Sequence, residues 1–362
     1  MIITKKFRLK DKHASHLNSM AREVNYIWNF ANETRAKAAS PQYVGKRKFL
    51  SGFDLINLTS GYVKEYDSKL NAQSVQAICE EVALRGKQFK KTKLKWRTNN
   101  PKSSKKSLGW IPFKSSAIKF VNGQIRYNGH FFNFWDSYDL PKDTKILCGS
   151  FNQDARGRWY INLVIDEPIK QSSGTGSIAL DFGVKDIAGL SDGTIIEAQM
   201  FYKKSEEKLA KSQRARTKKK TRSIHAKIAN QRKDYLHKFS SKLIAENAAI
   251  FVGNVSLNFL LSGNSGKKTR DHGIGMFKDM LKYKSHQAGV IYEVIDEKYS
   301  TQTCSCCGVI PISSPKGSAG LWIREWTCCE CNTTHDRDVN AAKVILARGH
   351  SRLRGISCKQ GE

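Results

Sequence analysis

Two pairs of cysteines do most to limit how this chain can fold. Cys304 and Cys307 form one Cys-x-x-Cys knuckle, and Cys328 and Cys331 form a second one 20 residues later. Four thiolates at that spacing suit one tetrahedral zinc ion, which is structural because no coordination position is left open. Gly308 and Asn332 follow the two knuckles, and both residue types tolerate the left-handed backbone such turns need. Cys306 and Cys329 fall outside the repeat and are expected as bystanders. Nine cysteines could mean disulfides in a small secreted protein, but six of them crowd into Cys304–Cys331 of a 362-residue chain. Metal binding is the better reading.

Charge narrows the function classes. Lys and Arg number 62 against 32 acidic residues, a net charge of +30. Such an excess repels itself in a compact fold unless a polyanion neutralises part of it. Nucleic acid is the natural partner, because each phosphate contact releases a counterion. A membrane-surface role would need a basic amphipathic helix with a bulky apolar face near a terminus, and none is visible. No apolar run approaches the roughly 18–20 residues that span a bilayer. Met1–Lys6 carries charge without a following apolar segment, so a cytosolic protein is expected. Hydrophobic residues at 40% are ordinary for a folded chain long enough for two or three domains.

Periodicity organises the rest. Residues 2–9 alternate as a strand; Leu17, Met20, Val24, Ile27, Trp28 and Ala31 recur at helical spacing, as do Val75, Ile78, Cys79 and Val82 in Ala72–Phe89. A helical module over 13–105 follows, with Trp28 read as core. Pro101–Ser107 is a basic linker. Strands are predicted at Ala117–Val121, Gln124–Tyr127, His130–Phe134, Lys145–Gln153 and Trp159–Ile165, with Asn122-Gly123 and Asn128-Gly129 as hairpin turns. After a Ser/Gly linker at 171–176 the pattern becomes α/β. Ser177–Asp181, Asp186–Leu190, Ala249–Val255 and Gly289–Ile295 read as strands, 203–238 as basic helix and Val339–Ala347 as a closing helix. No internal repeat is visible.

Two acids stand at element ends. Asp181 closes an apolar strand before Gly183, and Asp338 stands at the mouth of the last helix, directly after the cysteine repeat. Either alone has a bland explanation, Asp181 as a solvated turn residue and Asp338 as a helix N-cap. Together with the cysteine repeat and the +30 charge they point to a site acting on nucleic acid.

The order Ala179-Leu-Asp-Phe-Gly-Val-Lys185, Thr301-Gln-Thr-Cys-Ser-Cys-Cys-Gly308, Trp326-Thr-Cys…Cys331 and Asp336-Arg-Asp-Val-Asn-Ala-Ala342 resembles the TnpB family. These are transposon-encoded RNA-guided DNA endonucleases related to compact type V CRISPR effectors. The resemblance covers nearly the whole chain, and it implies a multidomain α+β architecture. Residues 1–12 and 106–170 would form a small wedge β-barrel, with a helical recognition module (13–105) inserted. An RNase H-like (RuvC) α/β domain would follow at 177–300 and 335–362, with the zinc ribbon inserted at 301–334. The family's nuclease uses three carboxylates to hold divalent metal, Mg²⁺, for phosphodiester hydrolysis. Asp181 matches the first and Asp338 the last, with Asp336 a weaker candidate. The second is normally a glutamate ending an apolar strand, and here Gly253 stands in its place. Glu297, at a position often occupied by proline in relatives, is the replacement the resemblance favours. A TnpB-like subgroup with a similar Val-Gly-Asn-Val stretch is similar in this. Glu293 would lie four residues deeper in the same strand, on the same face. The alternative is a lapsed site, making the chain an RNA-guided DNA-binding repressor. A transposase joining DNA ends lacks a visible nucleophilic tyrosine motif.

The resemblance also implies a transposon-derived guide RNA and a double-stranded DNA target with a short flanking motif as partners. Lys218, Lys219, Lys220, Arg222 and Arg232 would contact the guide–target duplex through its backbone. Lys5, Arg8 and Trp28 lie near the flanking-motif readers only by position, and His225, Asp234 and His237 are given no metal role.

Overall fold

The computed structural model describes all residues except 41–48, 101–102, 104–105, 142, 170, 257–265, 318 and 360–362, so four residues of the 101–107 linker lie outside it. The described residues form two compact units, Met1–Pro168 and Ile169–Glu362.

In the first unit the strand Ile2–Leu9 pairs antiparallel with Trp159–Asp166, and near its end with Phe134–Trp135. Ile146–Gln153 and Trp110–Lys114 extend the sheet to five strands. Trp110–Lys114 escaped the sequence reading because Pro112 breaks its pattern. It is an edge strand, where a residue without an N–H is tolerated. Asn122-Gly123 and Asn128-Gly129 all have positive φ. They make two tight turns that join Ile118–Val121, Gln124–Tyr127 and His130–Phe132 into a separate three-stranded meander. Where the family resemblance implies a closed barrel, the described strands form these two sheets, and the edge strands of the larger one do not pair with each other. Helix Ala14–Ala38 buries Leu17, Met20, Val24, Ile27 and Ala31, and helix Ala72–Gln88 buries Val75, Ile78, Cys79 and Val82, in one core with the sheet. Trp28 packs against that core while staying partly open.

The second unit is built on the strand Gly176–Phe182. Ala188–Leu190 lies antiparallel on one side of it, followed by Ile195–Ile196; Asn247–Gly253 and then Ile291–Ile295 lie parallel on the other. Side chains alternate between faces. Ile178, Leu180 and Phe182 share one core with Leu236 and Leu243 of helix Lys218–Glu246 and with Phe277 and Leu281 of helix Ile274–Ala288. Ala179 faces the other way, into a core with Phe251, Ile295 and Ile345. Ile345 belongs to helix Arg337–Lys359, which covers that face. The basic stretch expected as one helical region is two helices, Phe201–Arg214 and Lys218–Glu246. Among the described residues, no helix is long and apolar enough to cross a membrane.

The closing helix lies very close to the sheet. Ala341 and Ala342 are fully buried, and a Cβ on Gly349 would collide with the Phe251 ring. Because Phe251 is itself fully buried and cannot retreat, Gly349→Ala is expected to destabilise the protein by about 1–3 kcal/mol, read as a lower urea midpoint with unchanged slope.

Candidate active site

The two cysteine knuckles fold alike. In the first, the Gly308 amide donates to Cys304 O at 2.9 Å and the Cys304 amide to Val309 O at 2.9 Å. In the second, the Asn332 amide donates to Cys328 O at 2.9 Å and the Cys328 amide to Thr333 O at 3.0 Å. Gly308 and Asn332 have φ of 77° and 54°, the left-handed backbone their sequence positions called for. The Sγ atoms of Cys304, Cys307, Cys328 and Cys331 lie within 4.8 Å of one another. Among the described residues this is the one set of three or more metal-ligating side chains so closely gathered. Thiolate donors converging from two knuckles fit a zinc ion, which would complete the core of a ribbon too small to hold itself together. Cys306 and Cys329 are exposed, as bystanders should be. Hydrogen bonding with Thr333 holds the Cys331 thiol down at about 6, and burial pushes Cys304 up to about 12.

Asn340 ties the first knuckle to the closing helix. Asn340 Oδ1 accepts from the Ser305 amide at 2.9 Å, inside the first knuckle, and its Nδ2 donates to Thr303 O at 2.8 Å. Asp336 caps the helix by accepting from the Asp338 and Val339 amides at 3.0 and 2.9 Å. The capping role open to Asp338 is therefore taken by Asp336, and the Asp338 carboxylate is left for other contacts.

Two glycines bring the acids together. Gly189 pairs with Asp181 across the antiparallel ladder, and the space its Cβ would take is filled by Asp338, 3.2 Å away. On the other side of the central strand, Gly253 follows the Val252–Leu180 pair. A Cβ there would collide with Glu297 Oε2. The Glu297 carboxylate, carried in from the end of the next strand, thus occupies the place vacated at Gly253. Glu293 is instead paired with Arg352 at 3.6 Å.

Crowding sets the electrostatics. Burial, then the neighbouring Glu297 and Asp338, pushes the Asp181 carboxyl well above the usual carboxylate range, against the pull of Arg337 and Lys278. Burial also raises Glu297, opposed by Lys278 and by the Val255 amide. Glu297 Oε2 is buried with no hydrogen-bond partner among the described residues. An orphaned carboxylate oxygen beside two further acids is a fit for a divalent cation, which would relieve the repulsion that raises Asp181.

Two cations here were not foreseen. Lys278 Nζ donates to Gly253 O at 2.9 Å and lies within reach of Glu297 and Asp181. Arg324 binds Asp338 Oδ2 at 3.1 Å. Lys278 sits in an amphipathic helix where its charge looks like any surface charge. Arg324 precedes the second knuckle without a spacing rule to mark it. Of the cations the sequence reading offered to nucleic acid, Lys218, Lys219, Lys220 and Arg222 are exposed. Arg232 is held in an ion pair with the buried Asp271 at 2.5 Å, so its guanidinium serves the fold.

Residues 160–262 match the family model described as "Probable transposase", and residues 275–345 match "Cas12f1-like, TNB domain". A protein of Streptomyces pristinaespiralis named "Putative RNA-guided DNA endonuclease" is 30% identical over 277 residues, which is 72% of this chain and 67% of its own length. This chain belongs to the TnpB family. "Putative RNA-guided DNA endonuclease InsQ" of Escherichia coli (strain K12) is 27% identical over 229 residues, 54% of this TnpB-family chain and 55% of the relative. A solved Cas12f1–sgRNA–target DNA complex aligns with 96% of this chain and 99% of its own at 17% identity and a TM-score of 0.35.

Two outcomes are expected. Cys328→Ser will lower bound zinc from one per chain to near zero by metal analysis, with a lower thermal midpoint. For the acids, a carboxyl raised in the folded state stabilises below its unfolded pKa of about 4 and loses that contribution as pH rises through the raised value. Metal-free Asp181→Asn should therefore gain thermal stability over wild type as pH increases. If the acids bind Mg²⁺, added Mg²⁺ should raise the thermal midpoint of wild type more than that of Asp181→Asn.

Proposed function

We propose that this chain is an RNA-guided DNA endonuclease of a transposable element, with Asp181, Glu297 and Asp338 as its catalytic carboxylates. One observation carries the residue assignment: Glu297 Oε2 lies where a side chain at residue 253 would begin, buried and unpartnered beside Asp181. A lapsed site has no reason to keep three acids in mutual repulsion. The names of the relatives and the strand order of the second unit, 3-2-1-4-5 with the first three antiparallel, support an RNase H-like nuclease. On this reading residues 13–105 recognise nucleic acid beside a wedge at 1–12 and 106–170. Residues 177–300 and 335–362 make the nuclease around the ribbon at 301–334.

Asp181, Glu297 and Asp338 would hold Mg²⁺, which supplies the Lewis acidity that activates water and stabilises the leaving oxygen of a phosphodiester. The chain's own groups prepare that site. Lys278 offsets part of the negative charge on Glu297 and Asp181, and Arg324, which binds Asp338 here, would be available to a substrate phosphate once a cation takes over Asp338. Lys218, Lys219 and Lys220 open helix Lys218–Glu246, whose first turn carries no acid. Cations at a helix N-terminus oppose the macrodipole, and a phosphate backbone of the guide–target duplex would reverse that penalty.

The test is cleavage of a guide-matched plasmid in Mg²⁺. Wild type should cut, while Asp181→Ala and Glu297→Gln should bind the target and lose at least about 100-fold in rate, the scale of losing a metal ligand or its support. Gly253→Ala discriminates further. Its Cβ displaces the tip of the flexible Glu297 side chain and meets Ile345 Cδ1 at 3.3 Å, so the thermal midpoint should fall only slightly while cleavage falls at least about tenfold. Wild type that binds its target and leaves it intact at every Mg²⁺ concentration would overturn the enzyme and leave a guided DNA-binding repressor.

A further inference from the structure

A cleft of about 950 Å³ in the first unit is lined by Trp28, Phe89, Trp96, Lys91, Lys95 and Lys106 among others, with no carboxylate among the described residues that line it. Trp96 and Phe89 are 55% and 56% exposed, although large aromatic rings ordinarily contribute to a core.

The exposure of Trp96 is held in place by the fold. Helix Ala14–Ala38 carries Asn25, Asn29 and Asn32 one turn apart, and these grip the extended segment 94–99 as a neighbouring strand would. Asn32 Nδ2 donates to Leu94 O at 2.9 Å while the Leu94 amide donates to Asn32 Oδ1 at 2.8 Å. Asn29 makes the same two bonds with Arg97, both 2.8 Å. Asn25 Oδ1 accepts from Arg97 Nε at 2.5 Å, and its Nδ2 donates to Asn99 Oδ1 at 2.6 Å. Trp28 Nε1 adds a bond to Lys95 O at 3.3 Å. Between these anchors Leu94 is buried, Arg97 is wedged near Trp28 and Trp110, and Lys95 and Trp96 are turned outward. A backbone clamped at both ends has prepaid the ordering of the exposed indole, as a binding site needs.

We propose that this cleft binds an unpaired base of the guide RNA, stacked on Trp96 and Phe89, with the flanking phosphates on Lys91, Lys95 and Lys106. Aromatic faces in a cationic cleft match the π-face and phosphates of a single strand. A duplex offers no free base face. The choice of RNA rests on the guided-nuclease reading: the guide carries unpaired bases outside its duplex with the target, whereas the target starts fully paired.

The test is equilibrium binding of the full chain, without Mg²⁺ or target, to labelled 15-residue probes at fixed salt: oligo(rA), oligo(dA) and an abasic strand of equal charge. Trp96→Ala should weaken oligo(rA) about tenfold, within the range of one lost stacking contact, and leave the abasic strand within about twofold of wild type. Trp96→Phe should keep most of the affinity, and Phe89→Ala should repeat the pattern as an independent variant should Trp96→Ala unfold. No loss on oligo(rA), an equal loss on the abasic strand, or a larger loss on oligo(dA) than on oligo(rA) would overturn the proposal. Because the measurement involves no cleavage, a chain that never cuts DNA can still pass it, and an active nuclease can fail it.

Discussion

A buried Asp181 carboxyl, raised by burial and by the neighbouring Glu297 and Asp338, is the constraint around which this part of the second unit is arranged. Such an arrangement needs space beside the central strand and rigid elements to deliver the acids. Gly189 and Gly253 provide the space, one on each flanking strand, and Asp181 stands between them. The neighbouring elements then bring Asp338 through one gap and Glu297 through the other. Cations near the acids offset part of the charge, and the remainder raises Asp181 and leaves Glu297 Oε2 without a partner. That residual stress is what a divalent cation would relieve.

The cysteine ribbon belongs to the same arrangement. Its knuckles fix the loop to which Asn340 is hydrogen-bonded, and Asn340 lies two residues beyond Asp338 on the closing helix. Asp336 finishes the helix start and frees Asp338 from capping. The small residues Ala341, Ala342 and Gly349 let the same helix settle onto Phe251 and Ala179. The four-cysteine cluster and Asp338 are thereby linked by the buried Asn340 amide, by the Arg324–Asp338 pair and by one tightly seated helix. The first unit follows a related logic, since buried asparagines there fix a loop that carries exposed aromatic and basic side chains.

Much of this could be read from the amino-acid sequence because the signals were local. The ribbon was legible from ligand spacing and from Gly308 and Asn332, whose positive φ is a property of the residues themselves. The hairpins at Asn122-Gly123 and Asn128-Gly129 were legible for the same reason, and the long helices from their apolar period. Trp110–Lys114 was not, because a proline in a strand is acceptable only at a sheet edge, and edges are defined by pairing. The barrel expected from family resemblance is, in the described residues, a five-stranded sheet beside a meander.

Residue types and spacing determined by themselves a four-cysteine ribbon, a strongly basic chain and an apolar strand carrying Asp181 near its end. Tertiary structure alone decided which cations are spent on the fold, as with Arg232 on Asp271, and which stand by the acids, as with Lys278 and Arg324. It also decided that Glu297 fills the gap at Gly253. Glu297 and Gly253 are distant in sequence and meet only because two parallel strands end side by side. A glycine declares that a side chain is absent, but only packing shows which atom takes its place.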